Sequence, residues 1–165
     1  MANTGYINGS DLLLSVGGKC IGHCSSHKVT YNSETKERAV KPIQTQATDA
    51  GLWKDKGVTG LSITISADGL RFYNETENGF TEISALWGVG QAVDVKCFPR
   101  GDGKAGTQTA YLEGKFVITS IEEDAPAQDD ATYSINLENA GMPTKYPGMG
   151  SVTSQAAVNA QAVSK

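Results

Sequence analysis

The chain has 165 residues, of which 39% are hydrophobic and 19% charged, and it contains 19 glycines. This length fits one domain, and the composition indicates a turn-rich globular protein, not a disordered or coiled-coil chain. The formal net charge of −4 argues against a protein that grips a phosphate backbone. No basic segment with a long apolar run marks a signal peptide or membrane span, and three cysteines in such a chain predict a reducing environment without disulfides.

The first predicted element is a β-hairpin. Residues 11–16 and 19–24 flank Gly17-Gly18, and two consecutive glycines supply the positive φ angles that a tight hairpin turn requires. The chain then continues as a strand that carries His27, Val29 and Tyr31 on one face.

Residues 33–60 show no sustained period, and we expect them to form a long loop. Loops of this length in a compact domain are usually functional or disordered. Leu52 and Trp53 lie beside Lys54 and Lys56 in this segment. A large aromatic side chain in a polar loop packs either on its own core or on a neighbouring molecule, and the sequence leaves both interpretations open.

A strand and a helix are predicted next. Apolar and polar residues alternate over 61–67, and the strand is expected to end in a turn at Asp68-Gly69. One helix is predicted, with Asn78 as its N-cap and Glu82 as an acidic residue in its first turn. Gly88 and Gly90 are expected to end this helix. Spacings of three and four predict that one helical stripe packs on the core: Phe80, Ile83, Leu86 and Trp87.

Three further strands complete the prediction. Val93, Val95 and Cys97 alternate on one strand, and residues 110–141 indicate two strands joined by an acidic loop. Between residues 122 and 138 there are six acids and no Lys or Arg. The earlier strand of this pair has apolar residues on both faces, with Leu112, Phe116 and Ile118 opposite Tyr111, Val117 and Ile121. This pattern favours burial by more than one monomer.

No catalytic, metal or cofactor site is predicted. A zinc site needs sulfur and nitrogen ligands, and these are offered by Cys20, His23, Cys24 and His27. On extended chain, however, the two cysteines and the two histidines lie on opposite faces. The acids of the last hairpin lack the alternating oxygens and central glycine of a calcium loop. Structural thiols and a solvated loop are therefore the favoured interpretations.

The order of these elements resembles the major tail proteins that form the tail tubes of long-tailed bacteriophages, most closely the branch typified by lactococcal siphophages. The resemblance covers residues 9–141. Four segments carry it in order: GSDLLLSVGGKCIGHCSSHKVTYNSETKERAVKP, GLWKDKGVTGLSITISADGL, FTEISALWGVGQAVDVK and YLEGKFVITSIEEDAPAQDDATYSINLENAG.

The resemblance implies a mainly β protein, a sandwich or barrel with one flanking helix and a long inter-ring loop, which assembles as stacked hexameric rings around a channel for DNA. It implies partners: other copies of the chain, a tape-measure protein, a tail terminator and distal tail or baseplate proteins, with no membrane. The location would be the virion tail, after assembly in the host cytoplasm. Candidate inter-ring residues are Leu52, Trp53, Lys54 and Lys56, and candidates for the sheet between subunits are Leu14, Val29, Phe116 and Ile118.

Three further expectations follow. Residues 1–145 would be the tube domain and 146–165 an extension that is mobile unless a partner orders it. Because the chain is acidic, the channel surface is expected to be neutral to acidic.

The alternative of another class is a carbohydrate-binding or adhesion β-sandwich, with Trp53, Trp87 or Tyr73 stacked on sugar rings. A hydrolase ranks third, because the sequence shows no convergent pair of a histidine and a carboxylate.

Overall fold

A computed structural model describes residues 5–38, 54–73, 78–100 and 109–149 of the chain. Its strands are β1 (Leu12–Val16), β2 (Lys19–Cys20), β3 (Cys24–Arg38), β4 (Asp55–Leu70), β5 (Val93–Pro99), β6 (Leu112–Asp124) and β7 (Thr132–Asn139). A 3-10 turn (Gly9–Asp11) precedes β1, and one helix, α1 (Phe80–Val89), lies between β4 and β5. The mainly β fold with one helix confirms the predicted class.

All strands belong to one antiparallel sheet with the order β2-β1-β5-β6-β7-β4-β3. Its two end strands are consecutive in the chain, since only three residues separate Cys20 from Cys24. Four residues of extended chain span at most about 14 Å, whereas six strand spacings in a flat sheet would place the end strands about 29 Å apart. The sheet therefore curls on itself into a partly closed barrel.

The inside of this barrel is the hydrophobic core. Strands β6 and β7 contribute Phe116, Tyr133, Ile135 and Leu137, each at most 1% exposed. Ile83 of α1 is fully buried against them, and Phe80 and Leu86 pack at the edge of the same cluster. The turn at Gly17-Gly18 has φ angles of 62° and 88°, as predicted.

The expected loop over residues 33–60 is wrong at both of its ends. Strand β3 continues to Arg38 and β4 begins at Asp55, and these two segments pair with each other. The sequence gives no clear period there because an extra residue, Thr59, interrupts the alternation of β4. Residues 39–53 lie outside the described residues, and Leu52 and Trp53 are among them.

The expected turn at Asp68-Gly69 is also wrong, because β4 runs through both residues to Leu70. Gly69 is needed for space. A Cβ at this position would lie 2.7 Å from Cζ of Tyr133, the residue opposite Gly69 on β7.

We therefore predict that Gly69→Ala lowers the free energy of unfolding by about 1–3 kcal/mol, because the Tyr133 ring must move. Gly88→Ala in α1 is the control, since a Cβ there meets nothing within 4 Å and should change stability by less than about 1 kcal/mol. Urea denaturation of both variants measures the difference. Equal stability of the two variants would contradict the close approach.

The N-cap of the helix lies one residue after the predicted one. Gly79 is the N-cap, and its backbone N–H donates to Oε2 of Glu82 at 3.0 Å. Asn78 has another role: it is 5% exposed, and its side-chain amide donates to the carbonyls of Val16 and Lys19. Asn78 thus joins the start of the helix to the β1–β2 turn.

The buried thiol of Cys97 interacts with two tyrosines, Tyr111 and Tyr31. Burial raises the pKa of Cys97 to about 11 and that of Tyr111 to about 12, and it also raises the pKa of Tyr31. The proximity of Tyr31 on β3 to Cys97 on β5 agrees with closure of the barrel, since these strands are far apart in the sheet order.

The raised thiol pKa predicts that stability falls in alkali. The folded state keeps the Cys97 proton from pH 9, the ordinary value, to about 11, while the unfolded chain loses it. Stability is therefore full below pH 9 and declines as pH rises through this window, by about 1 kcal/mol for each pH unit. Denaturation at about pH 8 and pH 10 measures the slope, which should be shallower in Cys97→Val. A flat profile in the native chain would contradict the prediction.

Candidate assembly interface

Strand β3 forms an open edge of the sheet. It has 15 residues, and among the strands that the structure describes its ladder partner is β4 alone. Every second residue of such a strand directs its N–H and C=O groups away from the partner strand, which makes a long edge a template for pairing with another chain. The other end of the sheet is better covered, because Asn78 bonds through its backbone to Cys20 and Gly22 beside β2.

The hairpin of β3 and β4 extends well beyond the rest of the sheet. Strand β7 pairs with β4 only from Thr64 to Leu70, and next to this ladder the amide of Ile63 donates to the side chain of Asn139 at 2.8 Å. Residues 32–38 and 55–62 therefore form a two-stranded arm. From Thr64, the last residue paired with β7, the hairpin extends about 30 Å to Asp55, which is enough to reach a neighbouring molecule.

A β-bulge places apolar residues on one face of the arm. Glu34 pairs with Gly60 and Thr35 with Val58, so Thr59 is the extra residue, and its hydroxyl donates to the carbonyl of Glu34 at 3.2 Å. Bulges re-aim side chains in this way. Val58 and Leu61 consequently share the face that continues from the core, together with Tyr31.

We call Tyr31, Val58 and Leu61 the apolar stripe. Their exposed fractions are 52%, 63% and 76%, because the layer that covers Ile63 inside the barrel does not extend over the arm. Exposed apolar side chains in a row mark a contact surface more strongly than single ones do. The stripe is therefore the main candidate for contact with another chain.

The outer part of the arm is basic. Residues 35–38 and 54–58 carry four cationic side chains and two carboxylates. Glu37 pairs with Lys54 at 3.0 Å and with Lys56 at 3.6 Å, and all three are about half exposed. The two lysines predicted at an inter-ring contact therefore lie near the described end of the arm.

The acidic hairpin lies at the opposite end of the molecule from the arm. Thr132 pairs with Leu70 and with Asp124, whereas Glu138 pairs with Thr64. The β6–β7 turn is thus beside the end of β4 that is remote from the arm, and we call this region the acidic end. The two ends carry opposite charge, which gives the molecule an axial polarity.

A cleft of about 550 Å³ opens at the acidic end. Asp129 and Asp130 line one side, and the start of α1 lines another. Arg71 pairs with Glu123 and lies 4.6 Å from the ring centroid of Phe80. Phe72 and Tyr73 contribute to the lining and are 62% and 91% exposed.

The face of the sheet that points away from the core is polar. Up to Asn32 on β3, from Ser62 on β4, and across β7 and the second half of β6, its members are mostly Ser, Thr and Asn. This part of the face carries one lysine, Lys28, and four carboxylates: Asp68, Glu122, Asp124 and Glu138. Neighbouring strands bond laterally, as in Asn136 to Ser120 at 2.8 Å and Asn32 to Thr64 at 3.2 Å. Asp68 accepts from Ser26 at 3.1 Å and from Ser134 at 2.6 Å. We call this surface the polar face.

Several residues proposed from sequence lie elsewhere than expected. Trp87 was expected in the core with Ile83, but its side chain is 56% exposed because it lies beside the buried stripe of α1 and not within it. Leu14, Phe116 and Ile118 are at most 7% exposed inside one copy, so their side chains offer nothing to a second copy. Val29 is partly buried on the edge strand β3.

A second bulge corrects the faces predicted for β6. Ile118 pairs with Leu137 and Ser120 with Asn136, so Thr119 is the extra residue. Ile121 therefore lies on the core side opposite Ile135, not on the outer face with Val117. Only one face of β6 is consistently apolar.

The Cys and His cluster serves packing. The His23 ring lies 4.3 Å from that of Phe72, and the Cys24 thiol donates to the carbonyl of Ser26 at 3.3 Å. Burial raises the pKa of Cys24 and lowers that of His27. Within the described ranges no three His, Cys, Asp or Glu side chains are arranged to hold a metal ion, and no helix there has the length and hydrophobicity of a membrane span.

Comparison with known proteins gives a family. A family model described as phage tail tube protein matches residues 7–145. A search of curated proteins finds no match.

Solved structures share the fold. A chain from the tail of an empty gene transfer agent particle, refined with C6 symmetry, is 22% identical with a TM-score of 0.60 over 85% of this chain and 98% of that one. A chain of the sheath/tube terminator of an extracellular contractile injection system is 18% identical with a TM-score of 0.56, covering 85% and 96%. The SPP1 tail tube is 15% identical with a TM-score of 0.53, covering 86% and 81%.

Proposed function

The chain belongs to the phage tail tube protein family, whose members are structural proteins of the tail, and we propose that its copies stack as hexameric rings into a hollow tube. The observation that carries this proposal is the open edge of β3 beside an uncovered arm. In a single copy, the outer edge of β3 has no strand beside it and the apolar face of the arm has no covering layer among the described residues. Identical neighbouring copies would supply both. C6 symmetry in the tail of the gene transfer agent particle supports the number six.

The ring forms when the β3 edge of one copy meets the sheet of the next. Val29 lies on this edge and is the one residue of the four proposed from sequence that remains a candidate for the contact. The arm then projects toward an adjacent ring, with Lys54 and Lys56 near its outer part. Leu52 and Trp53 precede them in sequence and belong to the same proposal.

The polar face lines the channel. Its hydroxyl and amide groups bond to one another, and its four carboxylates outnumber its single lysine, Lys28, so it offers little to bind phosphate groups. Duplex DNA would pass along this surface without being held. The role is structural and not catalytic.

The remaining assignments extend this proposal. Residues 1–145 form the tube domain, and 146–165 are an extension whose first residue, Tyr146, packs against the core. A terminator, a tape-measure protein and distal tail proteins would contact the ends and lumen of the tube. The fold shared with a tube terminator supports the first of these partners.

Electron microscopy of the purified chain tests the proposal. We expect rings with sixfold symmetry and hollow tubes when the protein is concentrated. A chain that stays monomeric by size exclusion at every concentration, and never forms rings, would contradict it. The sugar-binding alternative predicts such a monomer.

A further inference from the structure

We infer that the cleft at the acidic end is the receptor for the arm of a second copy of this chain, stacked head to tail. This inference rests on the proposed tube and names the surface that each arm contacts. The occupant is one specific partner: the apolar stripe and basic outer part of an arm from the adjacent ring.

The positions of the two surfaces make this contact possible. The arm leaves the sheet at the end where Thr64 pairs with Glu138, and the cleft opens at the end where Leu70 pairs with Thr132. In a stack of identically oriented rings, the arm of one copy therefore points at the acidic end of the next. The arm extends about 30 Å past the ladder with β7, whereas a side-by-side contact within a ring needs no such length.

The chemistry of the two surfaces is complementary in two respects. Val58 and Leu61 on the stripe are more than 60% exposed, as are Phe72 and Tyr73 at the cleft, so contact would bury apolar surface on both sides. Beyond the stripe, Lys56 follows on the same face of the arm as Val58. Asp129 and Asp130 line the cleft, in a hairpin with six acids and no Lys or Arg between 122 and 138.

The charge pattern also gives direction to the stack. Two arms carry the same excess of positive charge and two acidic ends the same negative charge, so a head-to-head or tail-to-tail arrangement is disfavoured. The contact is heterologous, and repeated along an axis it produces an open filament of rings.

Cysteine cross-linking tests the inference in assembled tubes. The double variant Val58→Cys/Tyr73→Cys should give, on mild oxidation, a ladder of covalent multimers on a non-reducing gel. Each single variant should give none beyond the native chain, which controls for Cys20, Cys24 and Cys97. Val58→Cys/Val89→Cys is the matched pair, because Val89 is 65% exposed and lies at the end of α1 opposite to the one that lines the cleft.

A charge exchange provides a second, independent readout. Lys54→Glu/Lys56→Glu and Asp129→Lys/Asp130→Lys should each raise the protein concentration needed for tubes by about tenfold, and their combination should restore assembly.

The outcomes separate the inference from the proposed function. If tubes form but the ladder appears only with Val89→Cys, or with neither pair, and the charge exchange gives no rescue, the receptor is elsewhere and the tube proposal stands. If the unmodified chain forms no tubes, the proposed function itself fails.

Discussion

Leu61→Asp is expected to abolish tube formation while leaving the single copy folded. The Leu61 side chain is 76% exposed in one copy, so a carboxylate there stays in water and costs the monomer little. In the assembled contact the same carboxylate would be buried against apolar groups without a partner. An uncompensated buried charge costs several kcal/mol, and this penalty recurs at every copy in the tube.

The adjacent residue gives a matched control. Ser62→Asp introduces the same charge one position along β4, but on the polar face. We expect Ser62→Asp to form tubes and Leu61→Asp to remain in small species, measured by sedimentation and electron microscopy. Thermal unfolding of both monomers should be similar. Normal tubes from Leu61→Asp would show that the apolar stripe is not part of the contact.

The fold was largely predictable because alternation and helical spacing report directly on burial. Strand β7 is the clearest case: Tyr133, Ile135 and Leu137 are buried, as their period of two predicts. The apolar stripe predicts the helix correctly, but it places Trp87 wrongly in the core. Spacing alone cannot distinguish the centre of a stripe from its margin, and the width of the covering layer decides which side chains are buried.

The errors on β4 and β6 share one cause, which is visible in the sequence. Val58-Thr59-Gly60-Leu61 and Ile118-Thr119-Ser120-Ile121 both place two apolar residues three apart with a threonine after the first. In both, the threonine is the extra residue of a bulge. The hydroxyl of Thr59 donates to a carbonyl of the facing strand at 3.2 Å, and that of Thr119 does so at 3.1 Å.

This repeated local arrangement explains why the sequence of the arm predicts a loop. A regular strand would send residues three apart to opposite faces, so the pattern looks aperiodic. With a bulge at Thr59, the same residues align as the apolar stripe. The polarity of the molecule, by contrast, could not be obtained from sequence, because it depends on which strand ends meet across the sheet.

Thr30→Lys/Ser62→Lys is expected to convert a tube that ignores DNA into one that retains it. Both positions lie on the polar face, on neighbouring strands. Six copies at −4 each give a ring a net charge of −24. Two added lysines per copy halve that net charge, and all of the added positive charge lies in the channel. Each phosphate contact adds about −0.9 to the slope of log K against log salt, so retention should be strong at low salt and lost at high salt.

The location of the added charge can be read from the shape of the DNA. Short linear duplex can enter an open channel, whereas closed circular DNA cannot thread it. Cosedimentation with tubes should therefore retain the linear duplex and not the circle. Ala85→Lys/Val89→Lys, at exposed positions of α1 that do not line the cleft, should bind both forms or neither. If the polar-face variant binds circular DNA as well as linear duplex, that face lies on the outside of the tube, and another surface lines the channel.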